Sequence, residues 1–133
     1  MPALKSAILL AANTDESIVS GTVYELFAAK QREFLYKIII KSLGDNAATV
    51  ARLYINNGWP VEEPTNNSFI ADITLTVATA SQTEKQPDYE IVVGLWIPER
   101  VRVLMTLGTA GTDGYMATAV RGEEYAERFL VSA

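Results

Sequence analysis

The chain has 133 residues, of which 16 are acidic and 11 basic, a formal net charge of −5, and neither cysteine nor histidine. A chain of this length can bury one sizeable core, and the lack of cysteine excludes disulfides, thiol chemistry and thiolate metal sites. The negative charge opposes the phosphate backbone, so nucleic acid is not expected as a partner. Without histidine the usual general base at neutral pH is missing, and we expect neither catalysis nor a cofactor.

The first residues carry no sign of a membrane segment. Residues 1–10 contain one lysine and a short apolar run, without the long apolar stretch and cleavage site of a signal peptide. The strongest apolar run, residues 38–40, is flanked by Lys37 and Lys41 and is far shorter than the roughly 20 residues that a membrane helix needs. We therefore expect synthesis in the cytoplasm and no contact with a membrane.

Alternation of apolar and polar residues dominates the chain and is typical of half-buried β-strands. In chain order it predicts short strands at residues 8–10, 17–19, 23–27, 34–40, 51–55, 69–78, 91–97, 101–107 and 115–119. Residues that favour turns separate these runs, at 43–46, 56–60, 64–67, 86–88 and 108–114. The sequence therefore predicts an all-β fold, an antiparallel β-sandwich resembling a jelly roll, with roughly eight or nine strands.

Two segments fit more than one structure. Residues 45–54 have a capping residue and helical apolar spacing, but the β-branched side chains of Thr49, Val50 and Ile55 favour a strand. Residues 122–130 place charged and apolar side chains at helical spacing, which indicates a short C-terminal helix or an arm. We expect one domain over residues 1–133, with residues 1–12 as an N-terminal arm and residues 122–133 as a C-terminal arm.

Two further features resemble binding sites without meeting their requirements. The acidic residues at 62–63 and 123–127 could supply oxygen ligands to a cation, but nothing fixes their geometry, and a solvated loop is the preferred interpretation of the first pair. The glycine-rich residues 108–114 lack the ending of a phosphate-binding loop and precede a strand, so we predict a hairpin loop. We therefore assign no catalytic, cofactor-binding or metal-binding residue.

Several large apolar side chains fall in loops or out of phase with the alternation. Val92 and Trp96, for example, lie on the opposite side of their predicted strand from Ile91 and Ile97. Several apolar residues on nominally solvent-facing positions of a small protein indicate surfaces that a partner or another subunit covers. The predicted partner-contact residues are Ile39, Val50, Tyr54, Trp59, Val92 and Trp96.

Most of the chain resembles a group of small phage and prophage proteins found among virion structural genes. The likeness rests on NNSFIADITL at 66–75, IPERVRV at 97–103, LGT at 107–109 and GYMATAVRGEEY at 114–125, with VYELF at 23–27, FLYKIIIKSL at 34–43 and AATVARL at 47–53 in the first half. Members commonly have Pro-Ala-Gly where this chain has residues 27–30 and 98–100, so we expect those two turns to be built differently. The resemblance implies a virion component present in many copies and held by symmetry contacts.

These observations lead to three hypotheses about function. The first is a bacteriophage capsid decoration, or cement, protein: a trimeric sandwich on the capsid surface, seated where subunits of the major capsid protein meet. The second is a tail, neck or baseplate component of the virion. The third is a carbohydrate-binding module in which Trp59 or Trp96 stacks on a sugar.

Overall fold

Eight β-strands account for most of the computed structural model, which describes residues 3–13 and 21–122. The strands are β1 (Ala3–Leu9), β2 (Tyr24–Ala28), β3 (Glu33–Ser42), β4 (Thr49–Asn56), β5 (Asn67–Leu75), β6 (Asp88–Ile97), β7 (Arg102–Leu107) and β8 (Tyr115–Arg121). A single 3₁₀ turn, Pro64–Asn66, precedes β5. The all-β prediction is confirmed, whereas the strand predicted at 17–19 and the segment 123–133 lie outside the described residues. In the described ranges, no helix has the length and apolar character needed to cross a membrane.

The strands form two antiparallel sheets of four strands each. Sheet 1 has the order β1-β8-β3-β6, and sheet 2 has the order β2-β7-β4-β5. Strand β1 pairs with β8, β2 with β7, β3 with β6 and β4 with β5, as in one long hairpin wrapped over two sheets. This nesting of eight strands in two sheets is the jelly-roll arrangement. The predicted sandwich is therefore confirmed.

The core lies between the inner faces of the two sheets and follows from the alternation in the sequence. In β3, Ile38 and Ile40 are fully buried, while the lysines on either side, Lys37 and Lys41, lie on the outer face. The other fully buried core residues from both sheets include Leu9, Leu26, Leu35, Ala51, Leu53, Leu75, Val103, Met105, Leu107, Tyr115, Ala117 and Ala119. Burying such side chains contributes about 1.5–3 kcal/mol for each large apolar residue, so the core stabilises the fold without a disulfide or metal.

Three local predictions can be compared with the structure. Residues 49–56 form β4, as the β-branched residues indicated. Residues 3–9 belong to the sandwich and not to a free arm, because β1 pairs with β8 over seven consecutive residue pairs and buries Leu9 in the core. The segment 108–114 is not a hairpin, because the strands that it joins, β7 and β8, lie in different sheets.

Asn46 joins three connections at the end of the sandwich where β3 finishes. Its Nδ2 atom donates hydrogen bonds to Ser42 Oγ and to the Gly114 carbonyl oxygen, both at 2.9 Å. Its Oδ1 atom accepts from the Gly114 N–H at 2.9 Å, and its backbone exchanges two hydrogen bonds of 3.0 Å with Ala78. Asn46 is only 4% exposed. Its side-chain amide therefore supplies the hydrogen bonds that buried backbone groups would otherwise make to water.

Replacing Asn46 with alanine is expected to lower the free energy of unfolding by about 2–3 kcal/mol. The substitution removes three side-chain hydrogen bonds and leaves the buried Gly114 N–H without its acceptor. Leaving a buried donor without a partner typically costs about 1–3 kcal/mol of stability. Urea denaturation followed by circular dichroism measures the change. As a control, alanine at the exposed amide residue Gln82 should change stability by less than about 0.5 kcal/mol, and equal effects of the two substitutions would contradict the assignment.

Candidate functional site

The outer face of sheet 1 is built from three rows of side chains that run across all four strands. Residues directly opposite each other in antiparallel strands share a face, so the register gives the rows directly. They are Leu4, Val120, Lys37 and Val92; then Ser6, Thr118, Ile39 and Glu90; then Ile8, Met116, Lys41 and Asp88. The half formed by β1 and β8 is mainly apolar, and the half formed by β3 and β6 carries the charges.

The apolar part of this outer face is open to solvent. Leu4 is 66% exposed, Ile8 52% and Met116 38%, and Val92, on the opposite edge strand β6, is 58% exposed. Single apolar residues at a surface are ordinary, but here Ile8 and Met116 lie directly opposite each other, and Leu4 follows on the same face of β1. An exposed group of this kind is typical of a surface that contacts another molecule.

The charged half of the same face is held by ion pairs between neighbouring strands. Lys37 Nζ lies 2.8 Å from Glu90 Oε1, and Lys41 Nζ lies 2.8 Å from Asp88 Oδ1. Lys85 Nζ contacts the second oxygen of Asp88 at 3.2 Å. Hydrogen bonds from Lys41 and Lys85 lower the pKa of the Asp88 carboxyl, so it stays ionised at any pH near neutrality. Such exposed pairs add little stability, but they fix the positions of the charges around the apolar half.

Three of the six predicted contact residues, Ile39, Val92 and Trp96, lie on the outer face of sheet 1. Ile39 is half-buried in the middle row, and Val92 lies on the edge strand β6. Trp96 lies opposite Phe34, which meets its ring edge-on with centroids 5.4 Å apart. The Arg32 guanidinium lies 4.1 Å from the centroid of the Trp96 ring. Trp96 is therefore partly covered by its own chain, through a cation–π contact and an aromatic contact.

Tyr54, on the outer face of sheet 2, is covered by residues of its own chain. It is 2% exposed and forms a small second cluster with Leu104, against which Val23 and Val61 pack. The Phe69 ring also contacts it, with centroids 5.5 Å apart. Tyr54 faces away from the core but is buried there because Val61, in the loop after β4, and Val23 pack against it, so it offers no free surface to a partner. Val50, on the same outer face, is half-buried.

Asparagine side chains hold the β4–β5 loop, residues 57–66, against the sandwich. Asn56 Nδ2 donates to Asn67 Oδ1 at 2.8 Å, and Asn57 Nδ2 donates to Asn66 Oδ1 at 3.1 Å. The amides of Asn66 and Asn67 then donate to carbonyl oxygens within the loop, each at 2.9 Å. These side-chain bonds replace a regular ladder and give the loop a fixed shape.

Trp59 stands at the tip of this loop with its backbone fixed and its side chain 67% exposed. Its N–H donates to Asn57 Oδ1 at 3.0 Å, and its carbonyl oxygen accepts from Arg102 Nη2 at 2.9 Å. The preceding residue, Gly58, has φ 94°, and a Cβ atom there would lie 2.9 Å from the Arg100 carbonyl oxygen, so a larger residue does not fit. Trp59 is thus an aromatic side chain presented to solvent on a rigid support.

Leu4, Ile8 and Met116 are exposed apolar residues that the predicted contact set does not contain. Both alternating series of β1 contain apolar residues, so the strand shows no clear period of two, and that doubly apolar pattern is the signal that could have identified Leu4 and Ile8. In the part of the chain that the structure describes, no group of three or more acidic side chains is placed to hold a metal ion.

Substituting methionine for Arg102 is expected to loosen the β4–β5 loop. Arg102 donates to Asn56 Oδ1 through two nitrogens and to the Trp59 carbonyl oxygen, and hydrogen bonds from charged groups contribute about 1.5–3 kcal/mol. Amide hydrogen exchange within residues 57–66 should therefore accelerate at least about tenfold, as measured by mass spectrometry. Methionine at the exposed Arg100 is the control, and unchanged protection in the Arg102 variant would show that the asparagines alone hold the loop.

No protein-family model matches the chain, and no curated protein is significantly similar to it. The chain is similar to a solved structure of infectious bursal disease virus, Gx strain, with 10% identity and a TM-score of 0.32, covering 94% of this chain and 34% of that chain. It is also similar to the VP2 subviral particle of infectious bursal disease virus, with 11% identity and a TM-score of 0.29, covering 94% of this chain and 34% of that chain. The chain spans about a third of the length of these structures.

Proposed function

We propose that this chain is a structural protein of a bacteriophage virion, and specifically a capsid decoration protein that binds the lattice of the major capsid protein. In this role it is made in the cytoplasm of the host bacterium, forms a homotrimer on the capsid surface and acts by burying surface, without catalysis. The observation that carries the proposal is the exposed apolar half of the outer face of sheet 1.

The contrast between the two outer faces supports a role in assembly. On sheet 2 the chain covers Tyr54 and Leu104 with a loop held by hydrogen bonds, and of their neighbours Phe69 stays exposed. On sheet 1 it leaves Leu4, Ile8 and Met116 open to solvent. A folded monomer gains nothing from exposed neighbouring apolar groups, whereas a contact surface needs them.

The arrangement of charges on sheet 1 also suits a protein contact. The ion pairs of Lys37 with Glu90 and of Lys41 with Asp88 border the apolar half on one side. Protein interfaces commonly have an apolar centre with a polar rim that stays accessible to solvent. Because the sequence resembles phage virion proteins, we place this contact in a virion. In a symmetric lattice, every copy of the chain can make the same contact through the same surface.

Quantitative mass spectrometry of purified virions, with heads separated from tails, tests this role. We expect the chain in the head fraction, at an abundance comparable with that of the major capsid protein. A few copies that travel with tails would instead identify the tail, neck or baseplate component. Absence from particles would refute a structural role in the virion.

A carbohydrate-binding module is a second candidate, favoured by the exposed and rigidly supported ring of Trp59. Sugars stack on such rings because their C–H faces match the aromatic surface, and a fixed backbone reduces the entropy lost on binding. In this role a glycan array should show binding that Trp59→Ala abolishes and that Phe69→Ala, at another exposed aromatic residue, preserves. A blank array with folded protein would remove this candidate.

A further inference from the structure

Four strands lie at the edges of the two sheets, and three of them are irregular. The pairing of β2 shifts register between Glu25 and Phe27, and the pairing of β5 with β4 shifts opposite Leu53 and Tyr54. The pairing of β6 with β3 also shifts, beside Gly94, whose φ of 64° suits a bulge. Bulges of this kind keep an edge from pairing with another chain.

Strand β1 is the regular edge among the described strands. Its seven residue pairs with β8 follow one another without a shift, and no described strand pairs with it on its other side. An uninterrupted edge offers a row of backbone donors and acceptors to any extended segment that approaches.

Two hydrogen bonds show which backbone groups of β1 face this open side. Leu43 N–H donates to the Gly114 carbonyl oxygen and Gly122 N–H donates to the Phe34 carbonyl oxygen, so the even-numbered residues of β8 bond to β3. The odd-numbered residues of β8 therefore bond to β1, because donors alternate in direction along a strand. Their partners in β1 are also odd-numbered. The N–H and C=O groups of Leu4, Ser6 and Ile8 consequently point away from β8.

The side chains beside this edge define what an added strand must carry. On the outer face, Leu4 and Ile8 are exposed, so apolar side chains at the opposite positions of an added strand would pack favourably against them. On the inner side, Lys5 lines a cavity of about 430 Å³ between the sheets, together with Glu25, Phe27, Ala28, Lys30, Glu33 and Arg121. Three cationic and two acidic side chains line it, so its balance of +1 favours an acidic side chain.

We propose that β1 accepts an extended segment of the partner protein as a fifth strand of sheet 1. The segment has apolar side chains at alternate positions, which pack against Leu4 and Ile8 on the outer face. Between them, an acidic side chain enters the cavity beside Lys5. Backbone bonding gives such an added strand its affinity, and pockets for alternate side chains give its specificity. This inference rests on the proposed function, in which the segment belongs to the major capsid protein.

Ser6→Pro tests the edge directly, with Ser6→Ala as its matched control. Proline removes the outward N–H of residue 6 and blocks a neighbouring strand, while no backbone hydrogen bond to β8 is lost. Both variants lose the hydrogen bond between Ser6 Oγ and Thr118 Oγ1, so their difference isolates the backbone effect. In co-sedimentation with heads purified from a phage mutant that lacks this chain, Ser6→Pro should bind at least about tenfold more weakly, and Ser6→Ala should bind like the unmodified protein.

Lys5→Glu supplies a second test that does not depend on tolerance of proline. Reversing the charge in the cavity should weaken head binding, whereas Arg52→Glu, the same charge change on the outer face of sheet 2, should leave it nearly unchanged. Melting temperatures of all variants establish that they are folded.

The outcomes separate this inference from the proposed function. If the unmodified protein does not bind heads, the proposed function fails. If the unmodified protein binds heads and Ser6→Pro and Lys5→Glu bind them equally well, the added strand is refuted. The proposed function as a decoration protein is then unaffected. Light scattering measures the oligomeric state of the isolated protein. If Ser6→Pro changes that state, the edge of β1 pairs with a second copy of this chain, and the proposal that it pairs with the major capsid protein is refuted.

Discussion

The insertion of β8 between β1 and β3 is the interaction on which all of sheet 1 depends. It is the last strand of the described chain, yet it pairs with both the first and the third strands. The contact between Ala3 and Arg121 closes a loop of almost the whole chain, and contacts of such long range make folding slow. The outer face of sheet 1 therefore forms only when strands from both ends of the described chain come together.

Hydrogen-bonded asparagines fix the connections at both ends of this sandwich. Asn46 joins three connections at one end, and Asn56, Asn57, Asn66 and Asn67 shape the β4–β5 loop at the other. In the sequence these residues indicated only turns, because the turn preference of asparagine is local whereas its amide bonds span the fold. Rigid connections keep the exposed surfaces in one geometry, which lowers the entropy that binding removes.

The sequence predicted the strands and the sandwich well, because burial of one face imposes the period of two seen in β3 and β5. It predicted contact surfaces less well, since phase alone cannot tell what covers an outward residue. Tyr54 is covered by a loop of its own chain, whereas Val92 is exposed. Leu4 and Ile8 were missed because β1 has apolar residues on both faces. The connection at 108–114 was mistaken for a hairpin because turn composition does not reveal in which sheet the next strand lies.

The energies involved explain why the outer face and the edge of β1 would act together. Leu4, Ile8, Val92 and Met116 are each partly buried already, so covering them completely contributes about 1 kcal/mol each. That sum of about 4 kcal/mol only equals the low end of the cost of association, about 4–15 kcal/mol. An added strand would contribute further backbone hydrogen bonds of about 1 kcal/mol each. In the proposed trimer, three such contacts made at once bind far more tightly than one.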